Sequence, residues 1–236
     1  MAFGGEDAES YYDEGLTASV KGDMARASAC FEKALQLDPQ LTAAAHQLAK
    51  CALRTGDRER AIHLLTRVIR SRPNQIPPRL DLGGALLESG RFPQARQVFA
   101  EILAAEPDNG RALLGLAQVE FSGGNWQKAA GYARASLAHS GPNFPALFLL
   151  GRAARLAGDM ADATEALGRA DALIEQSLEL IPEQPEPYFL RGEVHFARED
   201  FSTAMDCYRS AESRTEGDRT YSAYGETFTR CDLLAK

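Results

Sequence analysis

From residue 8 onward, apolar positions recur at helical spacing, grouped in stretches of about twelve residues. The first stretch carries Gly15 and Ala18; the next carries Ala27, Phe31 and Ala34 before "LQLDP" closes it at Pro39. The same arrangement then returns. Leu48, Ala49 and Ala52 precede Ala61, Leu65 and Val68, and Leu82, Gly83 and Leu86 precede Ala95, Phe99 and Ile102. Leu116 and Ala117 precede Trp126 and Ala129, and Leu150, Gly151 and Ala154 precede Ala163, Leu167 and Ala170. Last come Gly192 and His195, followed by Ala204, Tyr208 and Ala211. Each repeat therefore holds two stripes at i, i+3, i+4, which predicts a pair of helices.

A glycine separates the two stripes. Gly22, Gly56, Gly90, Gly124 and Gly158 fall 34 residues apart, usually followed by Asp or Asn. The glycine is expected to end the first helix in a left-handed conformation, which only Gly adopts cheaply. The Asp or Asn is expected to cap the second helix, worth about 1 kcal/mol. Stretches such as "GDRER" and "GDMAR" do not supply the several alternating carboxylates that a calcium loop needs, so the turn is structural. Small residues (Gly15, Ala49, Gly83, Ala117, Gly151, Gly192) mark where the paired helices cross closely. The prolines agree: inside a helix each would cost about 3 kcal/mol, and all 11 fall between repeats or in a helix's first turn. The fifth repeat carries seven extra residues within "GRADALIEQSLELIP". Its apolar stripe runs unbroken from Ala163 to Ile181, so the extra turns should lengthen its second helix and displace the sixth repeat.

This pattern resembles the tetratricopeptide repeat over residues 8–217, although Ala45, Arg79, Leu113 and Leu147 stand where Tyr11 and Tyr188 match the family's aromatic. The resemblance implies an all-α fold: a right-handed superhelical solenoid of about six repeats plus a capping helix. The units would span 8–41, 42–75, 76–109, 110–143, 144–184 and 185–218 in one continuous solenoid, after a flexible stretch at 1–7. The cap is expected at 219–236, where Tyr221, Tyr224, Phe228, Cys231 and Leu234 share one face. Ending on a cap suggests a complete protein.

Composition narrows the function. With 44% hydrophobic and 25% charged residues the chain can bury a core, and its net charge of −7 argues against a general nucleic-acid binder. Cys30, Cys51, Cys207 and Cys231 lack metal-ligand spacing and read as reduced thiols. The N-terminus lacks the regions of a signal peptide, and "FPALFLLG" is too short to span a bilayer, so a cytoplasmic protein without membrane insertion is expected. No phosphate-binding loop, zinc-binding helix or nucleophile elbow is present. His195 reads as a packed residue, His63 and His139 as solvent-facing, and Cys51 as a small hydrophobe. Neither an enzyme, a cofactor nor a metal site is expected.

The resemblance instead implies a binding protein whose first helices line a concave groove. It places there Tyr12, Leu16, His46, Lys50, Leu53, Leu80 and Leu87, then Arg111, Leu114, Gln118 and Phe121, then Phe148, Arg152, Arg155, Phe189, Glu193 and Phe196. The subfamily that clamps chaperone C-termini needs Lys and Asn at set places; His46 and Lys50 come nearest, but Asp81 follows where Asn should stand. Large apolar residues around Lys50, Arg111, Arg152 and Arg155 suit a partner helix or peptide with apolar and acidic anchors. The expected function is a scaffold or adaptor. Two alternatives stand beside it: the apolar residues pack against neighbouring helices, or the groove or an end buries itself in a homo-oligomer that is the functional form. Residues 54–79 also hold seven arginines against two acids, whereas 1–41 hold eight acids against three bases. Such a run is either a solvated face or a second contact surface.

Overall fold

The computed structural model of the chain describes residues 7–215, and among them it contains twelve α-helices and no strand. These are α1 (Ala8–Val20), α2 (Met24–Leu37), α3 (Thr42–Arg54), α4 (Arg58–Ser71), α5 (Ile76–Glu88) and α6 (Phe92–Ala105). There follow α7 (Gly110–Ser122), α8 (Trp126–Ser140), α9 (Phe144–Ala157), α10 (Met160–Leu180), α11 (Pro185–Ala197) and α12 (Phe201–Glu212). The chain divides into two compact units, Met1–Val119 and Glu120–Lys236. The expected capping helix at 219–236 lies outside the described residues, as does the N-terminal stretch except for Asp7, which caps α1 by accepting from Ser10 N at 2.7 Å.

Backbone geometry explains the 34-residue interval. Gly22, Gly56, Gly90, Gly124 and Gly158 all have φ between 72° and 87°, the left-handed region that a Cβ disfavours. The sixth turn has no glycine. Glu199 takes that conformation instead, at φ 63°, and is the only non-glycine residue to do so among the described residues. Asp23, Asp57, Asp159 and Asp200 accept from backbone N–H groups of the following helix at 3.0–3.2 Å, as capping residues should. Asn125 departs from that expectation. Its side chain makes no cap bond and donates instead to the buried Glu120 at 2.8 Å. Proline stands in the first turn of α5, α6, α9 and α11, where no intrahelical donor is lost.

The small residues sit against large ones. A Cβ built on Gly83 would lie 2.5 Å from the Phe99 ring, and one on Gly151 would lie 2.5 Å from Leu167 Cγ. Only glycine lets these helix pairs close. In the first unit the core joins Phe31, Leu48, Ala49, Ala52 and Leu65 across successive helix pairs. In the second, Leu147, Leu167, Ala170, Ile174 and Val194 form one cluster, and Ala204 and Tyr208 another. Helix α10 runs 21 residues without a break, against 12–15 for the other second helices. The seven extra residues thus continue the helix, as the unbroken stripe requires.

Candidate protein-binding site

In the second unit, helix α9 presents Phe144, Phe148 and Arg152 at i, i+4 and i+8, so they follow one another along a single face. The Arg152 guanidinium stands 4.8 Å from the Phe121 ring centroid and 5.4 Å from that of Phe148. Phe148 stacks on Phe144 at 5.3 Å with planes 13° apart, and Phe121 meets Trp126 edge-on at 5.1 Å. The result is a row of four rings with one cation set into it. Arg152 is exposed, and among the described residues no carboxylate pairs with it. A guanidinium set over rings is attracted by their faces, and its N–H groups remain able to meet an acceptor.

Phe121, Phe148 and Arg152 were expected in the groove, and they come together. Phe144 was not among the expected residues, although its i, i+4 relation to Phe148 is the signal that marks it. Trp126 joins through Phe121 although it opens α8 at the turn.

Other expected groove residues are engaged within the chain. Arg155 donates to the Ala197 carbonyl at 3.2 Å and pairs with Glu199. Glu193 accepts from the Tyr208 hydroxyl at 2.7 Å. Phe189 packs against Tyr208 at 5.6 Å and Phe196 against Phe201 at 5.4 Å. In the first unit Tyr12, Leu16 and Leu53 pack half-buried against the core. Leu80 requires a correction: at 8% exposure it belongs to the core and offers no groove surface. Leu87, Leu114 and Gln118 are half-buried. His46 bonds Asp81 at 2.8 Å, and Arg111 lies 3.8 Å from the same carboxylate. Lys50 remains exposed. Most apolar groove positions thus pack at least in part within the chain; Phe144 and Phe148 are themselves half-buried against the core of the second unit, and of the α9 face Arg152 is the exposed member.

His195 is packed as expected, its side chain 12% exposed, with Nδ1 3.1 Å from Asp200. Hydrogen bonds from Thr203 and His195 hold the Asp200 carboxyl below its ordinary range. Burial pushes the Cys30, Cys51 and Cys207 thiols up, away from the thiolate a nucleophile needs. Among the described residues no cluster of His, Cys, Asp or Glu has the arrangement of a metal site, and no helix is long and apolar enough to cross a membrane. The arginine run is partly neutralised in cis: Arg60 pairs with Glu32, Arg58 with Glu88 at 3.1 Å, and Arg79 with Glu101 at 3.5 Å.

Family models described as tetratricopeptide repeat match residues 21–82, 80–145 and 152–219. The chain belongs to the tetratricopeptide repeat family. Proteins of this family bind protein partners and serve as scaffolds, typically without catalysis of their own. No curated protein matches this tetratricopeptide repeat chain in sequence. Its fold is similar to that of PilW, a type IV pilus biogenesis factor, at 19% identity and TM-score 0.70, over 95% of this chain and 99% of that one. MamA from Desulfovibrio magneticus RS-1 is similar at 20% identity and TM-score 0.65, over 73% of this chain and 97% of its own. A chain of the Cut9–Hcn1 complex of APC/C is similar at 18% identity and TM-score 0.71, over 96% of this chain but 43% of that one.

Proposed function

We propose that this tetratricopeptide repeat protein is a non-enzymatic adaptor that holds a segment of a partner protein against the face of α9. The observation that carries the reading is Arg152, set between Phe121 and Phe148 with no carboxylate partner among the described residues. Aromatic and Arg side chains dominate interface energies when a partner desolvates them. The partner segment supplies an acidic group to the guanidinium and apolar side chains to the rings. The cysteines, whose spacing fits no metal site and which read as packed thiols, suit a reducing, cytoplasmic setting, and the net charge of −7 supports a protein partner over nucleic acid. One neighbour of this fold is a chain of a hetero-tetramer, Cut9–Hcn1, which suits an adaptor.

The test is calorimetry with a partner recovered by affinity capture from the native cell. Phe121→Ala, Phe148→Ala and Arg152→Ala should each weaken binding by about 1–3 kcal/mol while the chain stays folded by circular dichroism. Arg70→Ala, on an exposed face of α4, should change it by under about 0.5 kcal/mol. Full affinity in the three α9-site variants together with loss in Arg70→Ala would move the site to the arginine-rich surface.

A further inference from the structure

Phe144 belongs to two surfaces. One face of its ring stacks on Phe148, and the ring also lines a groove of about 470 Å³ whose other walls are Leu173, Ile174, Leu180, Pro187 and Leu190. The groove exists because α10 runs on through its extra turns, which carry Leu180 and Ile181 past the end of an ordinary repeat. Those two residues are 82% and 47% exposed, an apolar rim held in water at an energetic cost that contact would relieve. The volume is enough to take a large side chain. Its polar members are Gln176, Ser177 and Glu186. The Ser177 hydroxyl is spent on the Leu173 carbonyl at 3.1 Å, Gln176 is exposed on α10, and Glu186, exposed in the first turn of α11, pairs with no base among the described residues.

We infer that this groove receives a bulky apolar side chain of the same partner segment whose carboxylate Arg152 reads. The inference rests on the function proposed above and adds the partner's second anchor and its distance from the first. Continuity argues for one occupant, since Phe144 is the last ring of the row and a wall of the groove at once. From residue 144 to residue 152 the α9 axis advances about 12 Å at 1.5 Å per residue. An extended segment covers that distance in about three or four residues, and a helical one lying along α9 in about eight. The partner motif is therefore an acidic residue and a bulky apolar residue separated by one of those intervals, in either order. Glu186 at the groove mouth favours a Lys or Arg beside the apolar anchor.

Selection of displayed random peptides on the full chain tests this directly, followed by calorimetry on the synthesised winners. The expected consensus pairs Asp or Glu with Leu, Ile, Met, Phe or Trp at the stated spacing. Replacing the peptide's apolar residue by Ala should weaken binding about tenfold against the native chain. Against Leu173→Ser, or against the Leu180→Ser/Ile181→Ser pair, the same replacement should change little. The rim pair lies on exposed positions, so it keeps the test open if the floor variant fails to fold. An acidic position lost with Arg152→Ala but unaccompanied by any apolar position overturns the groove inference and leaves the adaptor reading standing. An acidic preference indifferent to Arg152→Ala, or no enrichment at all, overturns both. A dimer that appears with concentration and disappears in the rim variant would show a second copy in the groove, and that too overturns the inference.

Discussion

Replacing Gly56 in turn by Asn, Ala and Val should lower stability progressively, and the reason lies in the backbone alone. Gly56 has φ 82°, and a Cβ placed on it meets nothing within 4 Å. No clash contributes, so the penalty is that of a left-handed conformation, about 1–2 kcal/mol for an ordinary L-residue. Losing glycine's freedom in the unfolded chain returns about 0.4–1 kcal/mol. Alanine should therefore cost about 0.5–1 kcal/mol net, asparagine less because it tolerates this region, and valine about 2 kcal/mol because its branched Cβ is worst placed there. Gly83→Ala offers the contrast. There the new methyl would lie 2.5 Å from Phe99, itself 3% exposed and unable to withdraw, so overpacking should cost about 1–3 kcal/mol already at alanine. Urea melts followed by circular dichroism report the midpoint and slope, and the valine variant should also melt about 4–8 °C lower. An unchanged midpoint in Gly56→Val, or an asparagine variant as damaged as the valine one, would refute the conformational account.

Two further outcomes distinguish residues that look alike in sequence. Asp57→Ala removes a cap bond to Arg60 N and should cost about 1 kcal/mol in the same melts, with Asp57→Asn nearly neutral. Asn125→Asp, a harmless exchange at a capping position, should instead cost about 1–3 kcal/mol, because it replaces a donor to the 2%-exposed Glu120 by a like charge; a neutral result would mean that this hydrogen bond does not hold Glu120.

The helices were legible because their signals repeat. A glycine at one interval, prolines confined to connections and first turns, and an apolar stripe uninterrupted from Ala163 to Ile181 each require the same backbone, and α10 accordingly runs through 21 residues. Agreement among independent local signals is what makes a fold readable. The candidate site was legible only in part. Phe148 and Arg152 share a face of α9 by helical geometry, which a sequence displays, and the repeat register pointed to Phe121 beside them. Whether a side chain is already engaged depends on residues far along the chain, which it does not display. Leu80 is buried though its repeat position suggested the groove, and Asn125 holds Glu120 though its position suggested a cap.

Arg152 and Arg155 show what divides an open site from a structural one. Both lie on α9, three residues apart, and both were expected to meet a partner. Arg155 reaches the turn after α11, 42 residues away, where the Ala197 carbonyl and the Glu199 carboxylate take it up. That turn is the one whose left-handed position carries Glu in place of Gly, a substitution that costs about 1 kcal/mol or more of backbone strain. A glycine there would relax the turn but leave Arg155 without its carboxylate. The strained residue thus has a structural use: it draws Arg155 out of the candidate site and ties α9 to the last helix pair. Arg152 has no such partner among the described residues, and its cation is steadied by rings that cannot neutralise it. Of the two arginines, only Arg152 retains an N–H edge to offer to another chain.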